Sequence, residues 1–99
     1  MKSNRFVALD LGAESGRAIA GTIAGGKLEL DILHRFPNGA VRVAGHMFWD
    51  VLGIFRELQN GLRAYSAKYG KELGGVGIDT WGVDFGLLDK NGLLLGNPY

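Results

Sequence analysis

Cysteine is missing from the chain, which excludes disulfides, thiolate metal centres and a cysteine nucleophile and leaves the cytoplasm as the expected compartment. An excess of charge of one sign is missing too. Eleven Lys and Arg stand against ten Asp and Glu, a formal charge of +1, which supplies no electrostatic footprint for nucleic acid or an anionic membrane surface. No stretch approaches the roughly 20 continuous apolar residues of a membrane helix. The opening MKSNRFVALDLGAESGR places two basic residues ahead of an apolar run, but Asp10 cuts that run short of the roughly 7–15 residues of a signal-peptide core. The opening therefore reads as mature structure of a soluble chain.

What is present is a globular composition, 46% hydrophobic and 21% charged over 99 residues, which allows one domain at most. Glycine is abundant, 17 residues in several short clusters without a period, and predicts many tight turns or close backbone approaches.

Phe6, Val7, Ala8, Leu9 and Leu11 form a short apolar segment broken by Asp10 and ended by Gly12, the pattern of a strand buried on both faces. Ala18 to Ala24 is apolar and small, and Gly25-Gly26 then supplies the positive-φ pair of a two-residue hairpin turn. The return segment alternates, with Leu28, Leu30 and Ile32 on the expected buried side and Lys27, Glu29 and Asp31 opposite. Three antiparallel strands are thus expected first. Pro37-Asn38-Gly39 signals a turn, and the Val and Ala segment up to Gly45 fits either a loop or an edge strand.

Val51, Phe55, Leu58, Leu62, Tyr65 and Tyr69 step by fours and threes, which predicts a long helix with one apolar face. Asp50 is placed to cap it and Gly70 to end it. Gly53 and Gly61 inside it each cost about 1 kcal/mol relative to Ala, so the helix depends on packing. Val76 and Ile78 predict a further strand, and the DKNG turn at Asp89–Gly92 predicts a hairpin of Val83–Leu88 with Leu93–Leu95. The order gives an α/β domain with a mixed sheet. With no later helix to cover its second face, the sheet reads as unfinished and the chain as a fragment.

Two segments carry candidate chemistry. In DLGAESGR, Asp10 closes a buried strand, an expensive place for a carboxylate unless a cation or hydrated divalent metal meets it. Gly12 and Gly16 let backbone amides approach a phosphate, Ser15 adds a hydroxyl and Arg17 can neutralise phosphate charge. Neither a P-loop nor a GxGxxG occurs, and ordinary hairpin chemistry accounts equally for such a turn. In IDTWGVDF, Asp79 and Asp84 flank Trp81 and Gly82. Carboxylates that accept from hydroxyls beside an aromatic face suit a sugar, while Trp81 and Phe85 as core residues and the aspartates as turn caps are the competing account.

Taken together, DLGAESGR, FWDV ahead of the long helix and GIDTWGVDFGLLDKNG after it resemble the opening of the FGGY carbohydrate kinases, through nearly the whole chain. The resemblance implies the start of the first of two actin-like (ribonuclease H-like) domains, residues 1–99 being its N-terminal part, with ATP and sugar bound between the domains. It assigns Ala13, Glu14, Ser15, Gly16 and Arg17 to the ATP phosphate loop, Asp10 to Mg2+ held through water, and Gly82, with Asp84 and Trp81, to the sugar. Glu14 departs from the nearest family pattern, which has Ser there. The implied reaction is transfer of the ATP γ-phosphoryl group to the 1-hydroxyl of a ketose, L-rhamnulose or a relative. The family's base is an Asp in a His-Asp-Thr segment. His34 precedes Arg35 and His46 precedes Met47, so this chain has no such pair, and both histidines read as surface or loop residues. The 99 residues alone are expected to be inactive and to self-associate through uncovered apolar strands. A non-catalytic actin-like nucleotide-binding module and a ligand-free structural domain are the other readings.

Overall fold

The computed structural model describes residues 4–99; Lys2, one of the two basic residues of the opening, lies outside them. Strands β1 (Arg5–Leu11), β2 (Ser15–Ala24) and β3 (Lys27–Pro37) run as consecutive antiparallel neighbours, as their hairpin signals predict. Gly25 and Gly26, with φ of 57° and 76°, make the β2–β3 turn, the mirror-image geometry that matches strand twist. A hairpin β4 (Val41–Val43) and β5 (His46–Phe48) follows, which resolves the loop-or-strand choice before Gly45. Helix α1 (Val51–Tyr69) leads to β6 (Gly75–Asp79), which pairs parallel with β1 and completes a mixed sheet of order β3-β2-β1-β6. A parallel neighbour requires a crossover, and α1 lies within that connection.

The helix packs on one face of this sheet. Val7, Leu9, Ala18 and Ala20 are buried against Tyr65, with Leu33, Leu58, Tyr69 and Leu73 around them. The small side chains matter, because a Cβ on Gly61 would come 2.6 Å from the Ala18 Cβ; glycine in the middle of α1 lets the helix sit directly on β2. Both helix ends have the expected chemistry. The Asp50 side chain accepts from the Gly53 N–H at 3.2 Å, and Gly70, at φ 83°, returns its N–H to Ser66. The buried stripe is nevertheless narrower than the spacing predicts: Leu58, Gly61 and Tyr65 face the sheet, whereas Phe55 is 58% exposed and Leu62 37% exposed.

The alternation along β3 is inverted relative to expectation. The register passes from Ala18↔His34 to Ile19↔Ile32, a bulge in which Leu33 is the extra residue, and such a bulge shifts which face each side chain serves. Asp31, not its apolar neighbours, meets the helix, accepting from Lys68 Nζ at 2.5 Å and from the Tyr69 hydroxyl at 2.6 Å. Leu28, Leu30 and Ile32 lie on the opposite face and are 63%, 67% and 43% exposed. That face also carries Phe6, Ala8 and Ile19 by register, and among the described residues no helix covers it. The second face is open, as the order of elements implies.

The last predicted hairpin is only rudimentary. Leu88 and Leu94 form an isolated bridge around an Asp89 turn in which the carboxylate accepts from the Asn91 and Leu93 N–H groups. Val83 has φ 69°, a conformation unfavourable for a β-branched residue and incompatible with the strand expected over Val83–Leu88. No helix among the described residues is long and apolar enough to cross a membrane.

Candidate functional site

The turn after β1 is a tight hairpin connection. The Gly12 N–H donates to the Ser15 carbonyl at 2.9 Å, which closes the loop over Ala13 and Glu14. Asn38, just beyond β3, ties it from outside: its side-chain amide donates to the Gly12 carbonyl at 2.8 Å, and its backbone N–H donates to the Glu14 carbonyl at 2.9 Å. Gly16 has its own reason to be glycine, because any Cβ there would fall inside the Phe36 ring. The loop is thus held at both of its arms by the strand-end residues of β3.

Asp10 has a cationic partner of the kind its place in an apolar strand calls for, within the chain itself. Its side chain is 37% exposed, and its Oδ2 accepts from Arg17 Nη2 at 2.7 Å across the β1–β2 ladder. Partial solvation and a paired guanidinium remove the desolvation problem posed by a carboxylate in an apolar strand. Arg17 is correspondingly engaged with Asp10; its fork retains further N–H donors for another anion.

The second segment is arranged around a carboxylate. Trp81 Nε1 donates to Asp84 Oδ2 at 2.6 Å, and Trp49 Nε1 donates to the same oxygen at 3.0 Å. The two indoles lie against each other with centroids 4.4 Å apart and planes inclined at 42°. The Trp81 face expected to be free for a ligand is therefore shared with Trp49. Sequence reasoning did not select Trp49; the available signal was an aromatic next to the helix cap in FWDV. Trp49 is fixed by its own backbone, whose N–H donates to the Pro98 carbonyl at 2.9 Å, while Asn97 Oδ1 accepts from the Val51 N–H at the helix start. Val83, Asp84, Phe85, Asn97 and Tyr99 are among the walls of a cavity of about 490 Å³. Gly82 stands between Trp81 and Val83 in this loop, with open space where a Cβ would lie.

The two segments share an end of the sheet. Asp10 pairs in parallel register with Asp79, so the turn at Ala13 and Glu14, with the start of β2, and the Trp81–Asp84 loop both follow the carboxyl ends of adjacent parallel strands. Ligands of α/β sheets gather at such ends. Among the described residues no group of three or more His, Cys, Asp and Glu side chains is poised around a metal position. Asp10, partly solvated and in register with Asp79, is the residue that could hold Mg2+, which keeps several waters and takes one or two carboxylates together with substrate phosphates.

The histidines lie on strands rather than in loops, His34 half-buried on β3 and His46 exposed on β5. His34 lies 3.4 Å from Glu57 and stacks on Phe36, and His46 Nδ1 is 2.6 Å from the Tyr99 hydroxyl.

Comparison with known proteins gives a consistent answer. No family model matches. Over 99 residues, all of this chain, the sequence is 48% identical to rhamnulokinase of Bacteroides thetaiotaomicron. It is 45% identical over 96 residues to rhamnulokinase of Mannheimia succiniciproducens and 41% identical over 87 residues to that of Bacillus subtilis. The chain spans about one fifth of the length of these relatives, 20%, 20% and 18%. Among solved structures, gluconate kinase from Lactobacillus acidophilus superposes with a TM-score of 0.77 at 16% identity, over 95% of this chain and 19% of that one. A xylulose kinase from the same organism gives 0.75 at 15% identity, again over 95% of this chain and 19% of that one. The fold is the α/β, mixed-sheet fold of these sugar kinases.

Proposed function

From a chain that is rhamnulokinase-like over its whole length, we propose that these residues are the N-terminal part of the first actin-like domain of an ATP-dependent kinase that phosphorylates L-rhamnulose on its 1-hydroxyl. The supporting geometric observation is the parallel Asp10↔Asp79 register, which brings the glycine turn and the tryptophan loop to one end of the sheet. Phosphoryl transfer asks mainly for positioning and charge stabilisation, and two ligand-facing loops side by side suit that demand.

In this reading the backbone of Ala13, Glu14, Ser15 and Gly16 lies along the ATP phosphates, with the Ser15 hydroxyl and Arg17 as further donors. Asp10 would hold Mg2+ through water, and an ion there would supply screening of the phosphate charge. Gly82, which presents no side chain, allows the ketose close to the backbone, while Trp81 and Asp84 meet its CH groups and hydroxyls. The base that takes the hydroxyl proton comes from elsewhere in a longer protein, which makes the 99 residues alone inactive and, with one sheet face uncovered, prone to self-associate. The proposed setting is cytoplasmic sugar metabolism.

The test is ADP release with Mg-ATP and a panel of ketoses, on the protein expressed from its native reading frame with its mass checked. Turnover with L-rhamnulose and little else is the expected result. Nucleotide binding without turnover on any ketose would leave a nucleotide-binding module instead.

A further inference from the structure

The least expected arrangement in the molecule is the double donation to Asp84. An exposed aspartate on an irregular loop ordinarily samples several rotamers, yet here one carboxylate oxygen accepts two indole N–H groups, at 2.6 and 3.0 Å, from residues 32 positions apart in the chain. A carboxylate oxygen has about two lone-pair sites. Oδ2 is therefore filled, and neither indole bond uses Oδ1. The pair restrains the carboxylate and leaves Oδ1 without an indole donor, on a residue that lines a cavity of roughly 490 Å³, a volume within the range of small-ligand sites. An indole N–H can only donate, and an ionised carboxylate can only accept, so the three groups fit together in one way.

We propose that Trp49 is a positioning residue for sugar recognition: with Trp81 it immobilises Asp84 through Oδ2, so that Oδ1 accepts a hydrogen bond from a hydroxyl of the ketose. This rests on the kinase reading above and extends it to a residue in the segment before the helix. The ligand chemistry follows from the donor set. A neutral polyol offers the hydroxyl that Oδ1 requires, whereas an anionic group is repelled. Trp49 touches no substrate in this account and acts through Asp84, as its 3.0 Å bond allows. Its indole also stacks on Trp81, so the N–H and the packing must be separated experimentally.

Trp49→Phe keeps an aromatic ring against Trp81 and removes the N–H. In the full-length enzyme it raises KM for the ketose about tenfold, the size expected for one hydrogen bond to a charged group, with kcat and KM for ATP within twofold of wild type. Because the indole works through the carboxylate, the same substitution has no further effect on ketose KM in an Asp84→Ala background. Additive effects of the two substitutions, an unchanged ketose KM, or equal rises in both KM values would overturn the assignment. A melting temperature measured on each variant separates general loss of packing, which depresses kcat and both KM values together and likewise refutes the proposal. If the wild-type enzyme turns over no ketose and its indole fluorescence responds to none, the kinase reading fails and takes this assignment with it; an active wild type with an indifferent Trp49→Phe refutes this assignment alone.

Discussion

The glycine turn after β1 and the tryptophan loop after β6 leave the sheet at the same end, yet they are held by different kinds of contact. The turn is closed mostly by main-chain atoms, Gly12 to Ser15 and Asn38 to Glu14, with one side-chain amide, that of Asn38, on the Gly12 carbonyl, and it has a glycine at position 16 because the Phe36 ring occupies the space of a side chain. The loop is held by side chains, two indoles on one carboxylate, over a backbone with little regular pairing and an unfavourable φ at Val83. Polyphosphate can be gripped by repetitive backbone donors, whereas a sugar must be told from its isomers by a few directed polar groups. The contrast between the two regions parallels the division of labour proposed for them.

Substitutions can break or sharpen this contrast. The largest effect is expected from Gly16→Ala, whose Cβ must displace Phe36; overpacking of this kind costs on the order of 3 kcal/mol, read as a lower urea midpoint. A neutral result would mean that the turn is less rigidly backed than its contacts imply. Gly61→Ala comes next. It gains about 1 kcal/mol of helix propensity but drives α1 away from Ala18, so a net loss of about 1–2 kcal/mol is expected, against the gain that an exposed helix position would show.

Asn38→Ala removes the side-chain donor to Gly12 and costs about 1 kcal/mol. In the full-length enzyme it raises KM for ATP and leaves KM for the ketose unchanged, the mirror image of Trp49→Phe. If both variants moved the same constant, the two regions would not serve separate ligands.

The smallest effect lies outside both regions and serves as their control. Hydrogen bonds from Lys68 and then Tyr69 hold the Asp31 carboxyl below its ordinary range, and the Asp31 bond raises Lys68. A carboxylate whose folded pKa is depressed stabilises above its unfolded value and loses that contribution as pH falls through the folded one. The raised Lys68 behaves oppositely and loses its contribution only as pH rises through its folded value. Asp31→Asn should therefore flatten slightly the fall in melting temperature below about pH 4, with no change in either KM.

Much of the framework was legible in the residues themselves. Gly25-Gly26, Asp50 and Gly70 act locally, so their sequence signals translate directly into a turn and two helix ends. The errors arise where distant parts decide. One bulged residue, Leu33, reverses which side of β3 meets the helix, and alternation alone carries no information about a bulge. The Arg17 partner of Asp10 is a cross-strand neighbour, visible once the hairpin register is known. Trp49 and Asp84 meet across 35 positions, and nothing local to FWDV announces that meeting. Both parts of the candidate site could be found as segments, but not the third member that joins one of them to the helix entrance.

The place of β1 in the sheet has a consequence for the order of assembly. Among the described strands β1 is made before its partners, and β2 and β3 can zip onto one of its edges as soon as they emerge, but its other edge waits for Gly75–Asp79. At a synthesis rate of about 5–20 residues per second, that interval lasts on the order of several seconds. Throughout it, the nascent chain carries an unpaired strand edge, a template for pairing with other chains. The end of the sheet that carries both loops is thus the last part of this framework to be finished, since the tryptophan loop has no position until β6 has docked.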